Sequence, residues 1–414
     1  MMFRKLLSFD EAKQIIYRNF QTEPLGLEGV ALLQAYERIL AGDVVAGLDV
    51  PSFSRSTVDG YAVKAEDTFE ADENRFVTLN LCGTVNIGEL PHVCVEHCTA
   101  AEIVTGAPIP RGADAVVMLE DTEKNGNTVE IHNAVARDEN IMKIGSDVRK
   151  GSTILRKGQL LQAREIGVLA AVGLAKVNVY ARPTVAVLST GGEVTEPGKD
   201  LPPGRIYDIN AYSLCAAVLE SGGKPSYLGV FPDDKAELKK ALKKALASAD
   251  MVVTSGGVSV GPKDIMPQTV DSLGKPGVIV CGIAIKPGKP ATIALVGGKL
   301  IFSFPGHPTS ALLTFYLLAR PILNALTGKR ALHNSSIRAV AGMRMFPAKG
   351  RKTFVMVKLE QRKSDIRVAV PLETGQSGAI TTLANADGFV EIAENQQFID
   401  AGEEVLVQLF RTIC

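Results

Sequence analysis

The chain has 414 residues, 46% apolar and 6% aromatic with no tryptophan, and its 45 basic side chains are matched by 45 acidic ones. That length calls for roughly two to four domains, and the composition is that of an ordinary globular protein. A balanced charge provides no net field to attract a polyanion, so no nucleic-acid partner is expected.

Residues 1–18, with Arg4, Lys5, Asp10, Glu11 and Lys13, read as the start of an amphipathic helix and not as a signal peptide. Helical periodicity runs over residues 8–45 through Ala12, Ile15, Ile16, Val30, Leu33, Ile39 and Leu40, interrupted at Pro24 and Gly26. From 46 to 148 the texture changes to short alternating runs at 76–81, 115–118 and 129–131, which predicts an inserted, mostly β domain. Residues 149–180 return to a turn and a helix over 163–170, so 1–45 and 149–180 are expected to form one interrupted, mixed domain. Over 181–330 strands and helices alternate: strands at 184–188, 251–253 and 300–304, helices at 211–220, 234–247 and 309–326. Such alternation predicts a parallel sheet covered on both faces. Short strands at 353–359, 367–370, 388–392 and 404–409 then predict a small β-barrel or sandwich over 331–414. The most apolar helical stretch, 311–319, is too short to cross a bilayer and ends at Arg320 and Pro321, so a cytoplasmic protein without a membrane partner is expected.

The six cysteines (Cys82, Cys94, Cys98, Cys215, Cys281 and Cys414) are scattered through the chain and read as free thiols. His92, Cys94, His97 and Cys98 lie close together in sequence. In an alternating strand Cys94 and Cys98 share a face opposite His97. A zinc site is the alternative, but no second Cys/His pair lies nearby to complete four ligands.

The strongest chemical signal is the stretch 254–261, with Thr254, Ser255, Gly256, Gly257, Ser259 and Gly261, directly after the apolar strand 251–253. Glycines let the backbone turn tightly and direct N–H groups outward, which is how loops hold phosphate oxygens. The acid just beyond, Asp264, suggests a metal bridging the phosphates, as in Mg²⁺ sites. A position at the carboxyl end of a buried strand favours a site over a plain turn. Ser189, Thr190, Gly191 and Glu193 repeat the pattern after the strand 184–188. Lys286 and Lys289 sit on a proline-stiffened turn suited to an anion, and Pro305 and Gly306 precede the long helix. His307 beside them reads as a local structural residue, and Asp59 and Thr105 fall in turns of the inserted domain.

Taken in order, these segments resemble the molybdenum insertase family, called MoeA in bacteria and archaea and the E-domain of gephyrin in animals. The resemblance spans essentially the full length. It rests on Pro51, Phe53, Ser56, Asp59, Gly60 and Tyr61; on 105–110 with Gly112 and Asp114; and on Gly145 and Asp147. It continues through 163–167, Ser189 to Glu193, 254–264, 286–290, Pro305 to Ala311, and Thr374, Gly375 and Ser377.

The resemblance implies a multidomain α/β fold. Its parts are the interrupted domain, the mostly β insertion at 46–148, a three-layer α/β/α parallel-sheet domain at 181–330, and a C-terminal β-barrel at 331–414. It implies a homodimer that takes adenylylated molybdopterin and molybdate or tungstate. The adenylate is cleaved with Mg²⁺, AMP leaves and the metal stays on the dithiolene. A molybdopterin adenylyltransferase and apo-molybdoenzymes are the implied partners. Asp59, Thr105 and Asp147 would face the cleft from the inserted domain. Glu193, Asp264 and one of Asp233 and Asp234, with Asp234 taken as the catalytic member, would come from the α/β/α domain, and Ser377 from the barrel. Glu193 and Asp264 are the implied Mg²⁺ ligands; Asp59 handles the oxyanion or a water. Gly192, Glu102, Met142 and Gly282 depart from residues common in the family and remove polar or cationic contacts. A carrier of finished cofactor without catalysis of its own is the alternative reading.

Overall fold

The computed structural model describes residues 6–72, 74–258, 265–329, 336–362, 366–372 and 380–410. The chain divides into two compact units. One comprises the residues up to Glu28, Glu37–Ala41 and the chain from Asn178 onward; the other comprises Gly29–Tyr36 and Gly42–Val177.

In the first unit, α1 (Phe9–Asn19) opens with a capping box in which Ser8 and Glu11 each satisfy the other's backbone N–H. Phe9, Ala12 and Ile16 recur on one face and are buried. The helical pattern anticipated beyond this point does not persist: Leu27–Ala31 is a strand and Leu32–Ala35 a 3₁₀ turn. Pro24 and Gly26 break the helix, and Leu33, 87% exposed, belongs to no core.

The second unit is built on β1 (Gly60–Val63), β2 (Val77–Val85), β3 (Thr99–Ile103), β4 (Ala115–Met118), β5 (Thr122–Asn125) and β6 (Thr128–Ile131). They form one six-stranded sheet in the order β4-β1-β3-β2-β6-β5. Side chains alternate between its two faces: Tyr61 and Val63 join one apolar cluster, Ala62 the other. Gly60 is required where β1 crosses β4, because a Cβ there would lie 1.8 Å from the Val117 carbonyl oxygen. Residues 93–98 do not form the alternating strand suggested by their sequence. Cys94 makes one bridge with Arg111, and His97 and Cys98 lie in a turn ahead of β3. A helix, α2 (Ala163–Ala171), falls where the periodicity placed it.

The rest of the first unit carries β7 (Thr184–Thr190), α3 (Asn210–Glu220), β8 (Lys224–Phe231), α4 (Lys235–Ser248), β9 (Met251–Ser255), α5 (Ile265–Asp271), β10 (Pro276–Cys281), β11 (Thr292–Val296) and β12 (Lys299–Phe304). The sheet order is β8-β7-β9-β12-β11-β10. The first four strands are parallel, while β11 runs antiparallel to both of its neighbours, β12 and β10. The antiparallel edge departs from the all-parallel expectation. Gly297 and Gly298, both at positive φ, make a two-residue turn that folds β11 straight back onto β12. Val185 and Val187 of β7 pack with α1, α3 and the long helix; Ala186 and Leu188 pack with α4 and α5, giving three layers. The long helix is continuous from α6 (Pro308–Thr314) through a π-helical turn to α7 (Arg320–Leu326). It is long and apolar enough to cross a membrane, but Phe315, Leu318, Ile322 and Leu323 are buried in the core.

At the C-terminal end, β13 (Ser336–Ala341), β14 (Lys352–Gln361), β15 (Arg367–Pro371), β16 (Gly388–Ile392) and β17 (Glu404–Leu409) close on themselves in the order β14-β15-β13-β17-β16-β14. This barrel has its own apolar centre, including Ala369, Val390, Ile392 and Val407. The two-residue strand Ile285–Lys286 lies parallel to β14, which ties the lysine turn to the barrel.

Candidate active-site cleft

Successive strands add to opposite sides of β7: β8 lies on one side and β9 on the other. At such a switch point the loops leaving the strands diverge and leave a crevice at their carboxyl ends. The crevice here has a volume of roughly 1060 Å³. A smaller hollow of 410 Å³, lined only by residues of α1, has no glycine loop.

Both glycine-rich loops read from the sequence meet in this cleft. Ser189, Thr190, Gly191 and Glu193 line it from the end of β7, and Ser255, Gly256 and Gly257 from the end of β9. Gly256, at φ +90°, approaches so closely that a Cβ would lie 2.2 Å from the Thr190 carbonyl oxygen. Its N–H donates to the Phe304 carbonyl at 3.1 Å. A Cβ at Gly191 would come within 2.9 Å of the Glu193 carboxylate, so Glu193 folds back over a position that only glycine leaves open. Thr254 does not line the cleft. Its hydroxyl is buried in β9 beside Ser303 of β12, and neither oxygen finds a hydrogen-bond partner among the described residues. Thr190 Oγ1 is equally unsatisfied. Such oxygens are rare in a buried setting and here cluster in and beneath the cleft.

The residues that hold the cleft together were not singled out from the sequence. Asp208, 4% exposed, accepts from Ser189 Oγ at 2.9 Å and from the Ala211 N–H at 3.0 Å, with the Tyr227 hydroxyl at 3.4 Å. Burial and the Asp208 charge push the Cys215 thiol up to about 11 and raise the Tyr227 phenol as well. Asn210, at the start of α3, donates to Ser255 Oγ and to the Gly306 carbonyl, each at 2.7 Å. Because a carbonyl only accepts, the amide nitrogen must face Gly306. Asn210 therefore ties the β9 loop to the Pro305–Gly306 loop. Local sequence shows only a helix start at 208–210; the bonds join residues 19, 45 and 96 positions apart.

Asp233 lines the cleft, whereas Asp234 is the N-cap of α4 and accepts from the N–H groups of Ala236 and Glu237 at 2.9 Å. The cleft-lining acid of this pair is thus Asp233, not Asp234. Pro305, Gly306 and His307 line the cleft next to the β9 loop, with His307 exposed at the N-cap of α6. Of the lysine turn, Pro290 reaches the cleft; Lys286 is exposed beside β14, and Lys289 is half-buried. Gly288 packs that turn against the long helix, where a Cβ would lie 2.5 Å from Thr314 Oγ1. Ser259, Gly261, Asp264 and Ser377 lie outside the described residues.

In the other unit, Asp59 and Thr105 form a pair. The Thr105 N–H and hydroxyl donate to Asp59 Oδ1 at 2.6 and 2.8 Å, and these bonds, the backbone one foremost, hold the exposed carboxyl below its usual range. Asp147 is exposed, with its N–H bonded to the Val50 carbonyl at 3.1 Å. Glu102 is paired with Lys124 at 2.8 Å.

Three family models match in succession: MoeA N-terminal region (domain I and II) over 7–173, a probable molybdopterin binding domain over 186–325, and MoeA C-terminal region (domain IV) over 338–410. Molybdopterin molybdenumtransferase 2 of Mycobacterium tuberculosis is 34% identical over 91% of this chain and 94% of its own length. The molybdopterin molybdenumtransferase of Bacillus subtilis is 33% identical over 93% and 90%. Among solved structures, a molybdopterin biosynthesis MoeA protein of Pyrococcus horikoshii is 41% identical with a TM-score of 0.84, covering 99% of this chain and 100% of that one.

Proposed function

The chain belongs to the MoeA family of molybdopterin molybdenumtransferases, and from that premise we propose that it inserts molybdate or tungstate into adenylylated molybdopterin, cleaving the adenylate and releasing AMP. The family is one of transferases in molybdenum cofactor biosynthesis. The observation that carries the finer reading is the meeting of two glycine loops and two acids, Glu193 and Asp233, in one cleft. Backbone N–H groups of such loops suit phosphate oxygens, and the acids suit a cation beside them.

The donor set is compatible with Mg²⁺. Carboxylate and hydroxyl oxygens are hard ligands, and Mg²⁺ is usually held by one or two carboxylates together with substrate phosphates. Glu193 and Asp233 would hold the ion, with Asp264 a third candidate from the sequence. When bound, it would neutralise the phosphoanhydride oxygens. The protein's own part is positional. Asp208 fixes Ser189 and the start of α3, and Asn210 joins the β9 loop to the Pro305–Gly306 loop. Lys286 and Lys289 do not line the cleft; on the turn whose Pro290 does, they add positive charge for the anion at longer range. Asp59, its charge kept by Thr105, orients the oxyanion or a water. In the homodimer of this reading, Asp59, Thr105 and Asp147 of one copy serve the cleft of the other, in the cytoplasm.

Incubating the protein with adenylylated molybdopterin, Mg²⁺ and each oxyanion, and measuring AMP, tests the proposal. AMP released together with metal insertion supports it. No AMP with either oxyanion, while finished cofactor binds, would establish a carrier.

A further inference from the structure

The turn ahead of β3 brings together side chains that the cleft chemistry does not use. Asp67 belongs to the 3₁₀ segment Ala65–Thr68, yet its side chain is only 1% exposed. Acids are rarely buried without a compensating charge. Oδ2 accepts from the Cys98 N–H at 2.8 Å. Oδ1 forms an ion pair with His97 Nδ1 when the imidazole is protonated, but no contact to Oδ1 has hydrogen-bond geometry among the described residues. The adjacent Lys64 ammonium is instead near Glu66, at 3.7 Å. The ligand atoms of Asp67, His97 and Cys98 all lie within 4.8 Å of one another.

We propose that Asp67, His97 and Cys98 bind one zinc-class divalent cation, with water completing its coordination. A carboxylate oxygen, an imidazole nitrogen and a thiolate sulfur form a mixed donor set typical of zinc and foreign to Mg²⁺ or Ca²⁺. The frame is held in place: the Glu96 N–H donates to Thr99 Oγ1 at 2.8 Å, the Thr99 hydroxyl donates to the Glu96 carbonyl at 3.0 Å, and the Asn80 N–H donates to the Cys98 carbonyl at 3.0 Å. His97 is 73% exposed and free to rotate off Oδ1 to make room for the ion. The cation gives the buried Asp67 carboxylate a permanent positive partner, where His97 is one only when protonated, and clamps the 3₁₀ segment to the turn. Sequence reading considered a zinc site on Cys94 and Cys98; the fold replaces Cys94 with Asp67, 31 residues before Cys98. The site lies at the start of β3, whose other end leads to Thr105. A five-residue strand spans roughly 17 Å, so the ion touches neither Asp59 nor Thr105.

The test is a titration of the full chain, stripped with chelator and kept reduced, with Co²⁺ as probe. One equivalent should produce a thiolate-to-cobalt charge-transfer band that Zn²⁺ abolishes by displacement. Cys98→Ala should lose the band, and His97→Ala should weaken affinity at least about ten-fold. Cys94→Ala should titrate as the parent does. All three positions are exposed, and matching circular dichroism of the variants confirms that they fold. Absence of the band in the parent, its persistence in Cys98→Ala, or its loss in Cys94→Ala would overturn the assignment.

Discussion

Replacing Asp208 with alanine removes the acceptor for Ser189 Oγ, at 2.9 Å, and for the Ala211 N–H, at 3.0 Å; the Tyr227 contact at 3.4 Å is too long to weigh much. Losing the bond to the first turn of α3 resembles losing an N-cap, about 1 kcal/mol. The Ser189 hydroxyl, on a residue 2% exposed, is left unpaired at a further cost of about 1–2 kcal/mol. The sum, roughly 2–3 kcal/mol, corresponds to a thirty- to 150-fold greater population of the locally open helix start. A chain of several units does not unfold in one step, so local amide hydrogen exchange is the appropriate assay. Peptides covering 209–214 should exchange faster by about that factor in Asp208→Ala. Asp208→Asn keeps an acceptor for Ala211 and should show less than half the free-energy change. Cys215, raised by burial first and by Asp208 second, should react faster with alkylating reagents at a given pH in either variant. Wild-type exchange in Asp208→Ala would refute the view that this carboxylate organises the cleft wall.

The pair Asp233 and Asp234 separates function from stability. Asp233→Asn should lower AMP release at least about ten-fold with unfolding unchanged, whereas Asp234→Ala should cost about 1 kcal/mol as a lost cap and leave turnover intact. Gly256→Ala adds a Cβ 2.2 Å from the Thr190 carbonyl and a left-handed strain of about 1–2 kcal/mol, and calorimetry should show nucleotide affinity lost. Thr105→Val removes one of two bonds that lower the Asp59 pKa. Carboxyl NMR should then show Asp59 titrating at higher pH, though still below normal because the Thr105 N–H remains. The sign follows from linkage: a lowered folded pKa stabilises above the unfolded pKa, and that contribution fades as pH falls through the folded value. An unshifted titration would show that the hydroxyl does not contribute.

Much of this architecture was legible in the sequence because the relevant signals are local. Helices α3 and α4 announce themselves by apolar periodicity, and Gly256 and Gly191 by their position after buried strands. The antiparallel edge was missed because no strand was read at 276–281 or 292–296; Gly297 and Gly298 mark the reversal between β11 and β12. Val30 and Leu33 have helical spacing, but spacing alone does not show that a face is buried, and Leu33 is not. Asp208 and Asn210 escaped notice because much of their work is done on residues distant in the chain, Asp208 on Ser189 and Asn210 on Ser255 and Gly306. The zinc-class cluster was half visible: its cysteine and histidine are neighbours in sequence, but the buried acid arrives from an earlier segment. Asp233 and Asp234 look alike in sequence, and only the geometry of the helix start tells the cap from the cleft acid.

The central claim is that the cleft couples adenylate cleavage to metal insertion. A single-turnover experiment, with protein in excess over adenylylated molybdopterin, Mg²⁺ and molybdate present, and AMP and dithiolene-bound metal counted in the same quenched samples, tests it most directly. The account predicts one AMP for each metal inserted in the parent and a parallel slowing of both in Asp233→Asn. Metal insertion without AMP, or AMP formed as fast in Asp233→Asn as in the parent, would contradict it.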